Sequence, residues 1–148
     1  MIDQLGWLVG LLAVSSLGWW LAQRRDGRFR RIAADPAGTP VVRLGADVLG
    51  TAPDHPATFV LITSATCSTC PQVRRVLASV AAEDPAVEVR ELAAEDHLDL
   101  VRRLGVLRTP TVLLLDATGA LRSRTSGPMK PEQARAALTD LLPTDVRS

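Results

Sequence analysis

The sequence predicts an α/β domain, a three-layer sandwich of helices around a mixed central sheet, preceded by one transmembrane helix. Three observations lead there: a charge-free stretch near the N-terminus, an alternation of β-rich and helical segments from about residue 57 onward, and two late strands joined by a turn too short for a crossover. A chain of 148 residues allows one core of ordinary size plus an appendage. With only 3% aromatic residues, that core must be built from Leu, Val, Ile and Ala.

Residues 5–22 carry no charge, and as a helix they would rise about 27 Å at roughly 1.5 Å per residue, enough to cross a bilayer core. Trp7 lies near one end and Trp19 and Trp20 near the other, where amphipathic rings favour the headgroup level. The chain opens Met1, Ile2, Asp3, Gln4, without the positive start of a cleavable leader, so residues 1–23 are expected to be an uncleaved anchor. Gly6 and Gly10 form a GxxxG pattern, but glycine is common in membrane helices and no packing role is assigned to it.

Residues 24–39 read as a basic juxtamembrane linker, with Arg24, Arg25, Arg28, Arg30 and Arg31 against the single acid Asp26 in their midst. Arginine-rich flanks stay on the cytoplasmic side, so the expected location is the cell membrane, single-pass, with the soluble domain in the cytosol. No aromatic platform or recognition motif accompanies the arginines, and no nucleic-acid partner is expected.

Residues 40–148 form the expected domain. A short first strand is expected at 41–44 and a loop at 53–56. The run 58–63, Thr-Phe-Val-Leu-Ile-Thr, is nearly all apolar and β-rich, the mark of a central strand covered on both faces. A helix follows, with Val73, Val76, Leu77 and Val80 spaced i, i+3, i+4, i+7. Next come a strand at 87–92, a helix at about 95–104, a strand at 111–115, a turn at 117–119 and a strand at 120–125. Gly127 and Pro128 break the chain before a last helix at about 131–142.

The chain has only two cysteines, Cys67 and Cys70, which argues against a disulfide-stapled scaffold. They fall between a buried strand and a helix. At a helix N-terminus, unpaired amides and the macrodipole stabilise a thiolate, so Cys67 is the expected nucleophile and Cys70 the resolving thiol, together the catalytic pair. Ser68 and Thr69 between them are placed to tune the redox potential. Pro71 suits an early helical position. No metal is expected, because the remaining soft ligands, His55 and His97, are single and distant in sequence. No cofactor is expected beyond the dithiol itself. A zinc site, a structural disulfide and a non-catalytic adaptor are the competing readings.

From about residue 57 to 142 the chain resembles thioredoxin. The likeness is carried by Cys67-Ser68-Thr69-Cys70 after a buried strand, Arg108-Thr109-Pro110-Thr111 before the next, and Gly127 after the hairpin. The resemblance implies a thioredoxin-like fold, a cis bond before Pro110, and contact of Thr109 and Pro110 with substrate. Its partners would be a disulfide-containing protein substrate, a thiol reductant and, given the anchor, another membrane protein. The stretch 95–106 together with the Ala/Arg-rich composition resembles membrane-anchored thioredoxin-like proteins of actinobacteria. The sequence departs from the family pattern at Thr66, where tryptophan is usual, at Ser68-Thr69 in place of Gly-Pro, at Pro71, and at Leu61, where a buried aspartate is usual. A cytosolic reductase of a partner protein is the expected function, with an extracytoplasmic disulfide or cytochrome-maturation role as the alternative.

Overall fold

The computed structural model describes residues 2–25, 29–32 and 42–142. In order these form α1 (Ile2–Arg25), β1 (Arg30–Arg31), α2 (Ala46–Leu49), β2 (Ala57–Thr63), α3 (Cys70–Glu83), β3 (Val87–Ala93), a 3-10 turn (Ala94–Asp96), α4 (Leu98–Arg103), β4 (Thr111–Asp116), β5 (Leu121–Ser126) and α5 (Pro131–Leu141). The strands make one mixed sheet in the order β1-β5-β4-β2-β3, with β2 and β3 parallel and the other neighbours antiparallel.

All seven residues of β2 are buried, as the unbroken apolar run requires. Because successive side chains alternate faces, β2 feeds two cores. Phe59 and Leu61 pack with Val73, Leu77 and Val80 of α3, Val112 and Leu114 of β4, and Ala134 and Leu138 of α5. Val60 and Ile62 point the other way, onto Leu100, Leu104, Leu113, Leu115 and, from the α2 region, Leu44 and Leu49. The three layers are those expected.

The β4–β5 hairpin turns at Gly119, whose φ of 73° suits a residue without a side chain. A Cβ there would lie 2.4 Å from the Leu44 carbonyl oxygen. That approach has a purpose: Leu44 N–H donates to the Gly119 carbonyl at 3.0 Å, and Arg43 bridges Ala120.

Four elements differ from expectation. The helix after the cysteines begins at Cys70. A helix begun at Cys67 would need an N–H at position 71 to bond the Cys67 carbonyl, and Pro71 has none, so the ladder starts with Val73 N–H on the Thr69 carbonyl at 3.2 Å. The strand expected at 41–44 is reduced to the Arg43 bridge, with Val41 outside the described residues, and α2 follows it unannounced. The helix expected over 95–104 is shorter, preceded by the 3-10 turn. Arg30–Arg31, within the expected linker, pairs with β5 as an edge strand, and the Phe29 ring lies 6.0 Å from that of Phe59. The rest of that linker from residue 33, and residues 26–28, lie outside the described residues.

Among the described residues no helix is long and apolar enough to cross a membrane.

Candidate functional site

Cys67 and Cys70 sit where the C-terminal end of β2 turns into α3, joined as a disulfide with Cα atoms 5.5 Å apart. The two sulfurs are unequal in access. Cys70 opens α3 and is only 3% exposed, whereas Cys67 is half-buried in the turn before the helix, its N–H bonded to the Ser64 carbonyl at 3.1 Å. Ser68 is exposed, and Thr69 lies half-buried with its hydroxyl 4.0 Å from the Cys67 sulfur. The helix-start placement expected for Cys67 thus belongs to Cys70, and Cys67 lies one turn ahead of the α3 N-terminus.

The second segment singled out by the sequence is brought beside the first. Thr109-Pro110 is joined by a cis peptide bond, and Thr109 Oγ1 lies 2.8 Å from Ser64 Oγ, in the loop that leads to Cys67. Pro110 is buried and Thr109 half-buried. Gly127 N–H donates to the Pro110 carbonyl at 2.8 Å, and Thr111 Oγ1 donates to the Arg108 carbonyl at 2.7 Å, so the proline loop is stitched to the end of β5.

Two residues of the site were not singled out for it by sequence. Ser64 is one, through the hydroxyl contact just given. Glu95 is the other: its carboxylate accepts the Ala65 N–H at 2.9 Å, two residues before Cys67. That amide, followed by the residue's own backbone N–H, holds the exposed Glu95 carboxyl below the usual carboxylate range. No local pattern could have assigned this role, because Glu95 reaches the loop only where β3 ends alongside β2, Thr63 opposite Ala93.

Leu61 is wholly buried among Val73, Leu77 and Val112, and the buried polar residues among those described are Thr58, Thr63, Thr111, Ser123 and Thr125. The charged pair nearest in sequence lies on the outer surface, where Arg74 of α3 makes a two-pronged bond to Glu91 of β3 at 2.6 Å per arm. That bond holds the Glu91 carboxyl low, against the smaller opposing effect of burial.

A separate group, Asp54, His55 and Glu88, gathers at the opposite end of the sheet with ligand atoms within 4.8 Å of one another. His55 Nδ1 bonds Asp54 at 2.7 Å and Arg90 pairs with Glu88 Oε1 at 2.9 Å, while Glu88 Oε2 is buried without a hydrogen-bond partner. His97 is not part of it.

Chemically, the arrangement offers an accessible sulfur, a shielded sulfur within bonding distance, and a cis-proline loop hydrogen-bonded to the same turn. The comparisons agree with it. The family model for the thioredoxin-like domain matches residues 50–142, and the chain belongs to that family. Among solved structures it is similar to a mutant thioredoxin from Halobacterium salinarum, with a TM-score of 0.58 at 15% identity over 70% of this chain and 96% of that one. It is also similar to oxidized mitochondrial thioredoxin 3 from Saccharomyces cerevisiae, with a TM-score of 0.52 at 18% identity over 60% of this chain and 82% of that one. At such identities the likeness is one of fold. No curated protein matches the sequence. The fold and a cysteine pair at disulfide distance support thiol-disulfide oxidoreductase chemistry in general.

Proposed function

We propose that the protein is a membrane-anchored thiol-disulfide oxidoreductase that reduces a partner protein at the cytoplasmic face. The observation that carries the chemistry is the unequal access of the two sulfurs, Cys67 half-buried and Cys70 at 3% exposure, beside the Thr109-Pro110 loop. In the reduced protein, the Cys67 thiolate attacks one sulfur of a substrate disulfide and displaces the other as thiolate. Cys70, as thiolate, then attacks the Cys67 sulfur, releases the substrate as a dithiol and closes the Cys67–Cys70 bond. A thiol reductant returns the pair to the dithiol. Thr109 and Pro110 hold the substrate chain beside Cys67, and Ser68 and Thr69 tune the pair.

Anchoring through residues 1–23 is supported by the uncharged run 5–22 and by the helix found there. Trp7, Leu11, Leu12, Val14, Leu17 and Trp19 are exposed on it without a charged face between them. A helix so apolar around its circumference needs an apolar environment.

Cys70→Ser is expected to accumulate a mixed disulfide through Cys67, seen as a reductant-sensitive adduct in cells or with a model disulfide. Absence of any adduct would remove exchange chemistry and leave a non-catalytic adaptor. A reporter fused after Ser148 tests the side: activity only outside the cytosol would replace the reductase with an extracytoplasmic oxidoreductase.

A further inference from the structure

The register of the sheet fixes the end from which α1 departs. Arg30 stands opposite Arg124 and Arg31 opposite Ser123. Further along, Ser126 is opposite Thr111, and Thr111 is opposite Ile62. Going backward from Arg31 through Arg30 to Phe29, the chain therefore climbs toward the Ser126, Thr111, Ile62 row. That is the end of the sheet that carries the Cys67 turn and the Pro110 loop.

The connection to α1 is short. Three residues separate Phe29 from Arg25, the last residue of α1, a span of at most about 14 Å even fully extended. Phe29 is itself packed into the core against Phe59. The lead from α1 is thus fastened to the domain at its redox end.

The surface there suits a headgroup layer. Leu107 is 96% exposed, and Arg30, Leu107, Arg108, Arg124 and Ser126 line one cleft beside it. An exposed leucine among arginines is the pairing that enters a lipid interface while its cations meet anionic headgroups. The acids Glu95, Asp96 and Asp99 at this end follow β3, at the edge of the sheet opposite β1.

We propose that the Cys67 end of the domain faces the bilayer holding α1, tilted so that the β1 edge with Arg30 and the Leu107-Arg108 loop lies nearest the headgroups. This rests on the anchoring proposed above. The disulfide that Cys67 attacks is then one carried by a membrane protein close to the bilayer surface, not one approaching from bulk solvent.

The test uses the full chain in phosphatidylcholine-phosphatidylglycerol vesicles containing a small fraction of headgroup-labelled acceptor lipid. A donor dye is placed on Cys67 in Cys70→Ser, or at position 85 in Pro85→Cys with both native cysteines changed to Ser. Pro85 is exposed at the other end of the sheet, and β2 alone separates the two ends by about 20 Å. Energy transfer from Cys67 is expected to exceed that from position 85 at least twofold. Equal or greater transfer from position 85, in protein that floats with the vesicles, would overturn the orientation and leave the anchor standing. Protein that fails to float would overturn the anchor and the orientation with it.

Discussion

At Cys67 the structure sets one carboxylate close to the reacting turn without burying it. Glu95 holds the Ala65 amide and keeps its charge to low pH, so it is an anion throughout the range in which a cysteine titrates. An anion near Cys67 opposes formation of its thiolate. Glu95→Gln keeps an acceptor for the amide and removes the charge. In a Cys70→Ser background it is expected to move the pH profile of Cys67 alkylation downward by a few tenths of a unit, a small shift because the charge is solvent-screened. A profile that stayed in place or rose would refute that role. Leu61 poses the complementary case: wholly buried, it is expected to tolerate no acid, and Leu61→Asp should cost about 3 kcal/mol or more in urea unfolding. The cysteine pair stood out by its spacing between a strand and a helix, and the cis bond at Thr109-Pro110 was expected from the resemblance. Ser64 and Glu95 were not legible in the sequence, because their partners, Thr109 and Ala65, lie 45 and 30 positions away in the chain.

Among the elements, the β4–β5 hairpin depends most on a few groups. Asp116 accepts bonds from the Thr118 N–H and hydroxyl, from the Ala120 N–H and from Arg122. Burial alone pushes its carboxyl up, but these bonds together outweigh it and hold the group below the usual carboxylate range. A lowered folded-state pKa stabilises the fold above the unfolded value, about pH 4, and that contribution fades as pH falls through the folded value. Asp116→Asn is therefore expected to be about 1–3 kcal/mol less stable than the parent at pH 7, with the gap closing below about pH 4 in denaturant titrations. Gly119→Ala should cost at least about 1 kcal/mol, since the new methyl meets a backbone carbonyl at a positive φ. Strands with apolar runs and helices with a 3.6 period were legible. The start of α3 was not, because the missing N–H of Pro71 acts on the Cys67 carbonyl, and helix periodicity does not register one absent donor. The two-residue β1 and four-residue α2 are too short for any period to show.

For the molecule as a whole, Phe29 couples the N-terminal helix to the domain. Phe29→Ala is expected to lower stability by about 1–3 kcal/mol, less than a fully buried phenylalanine because the ring is half-exposed. It should also release β1 from β5, seen as faster amide exchange at Arg124. Layer order and the mixed sheet followed from the sequence, since a parallel unit and a hairpin can be combined in few ways. The attachment of β1 did not, because two arginines look like solvated linker until the strand they meet is known. The sheet order also decides how this protein meets other chains. One border is the two-residue β1, made of arginines, and the other is β3, which carries Glu88, Arg90 and Glu91. Short or charged borders repel an added strand. Neither flank therefore invites edge-to-edge pairing, and self-association into extended sheets is disfavoured.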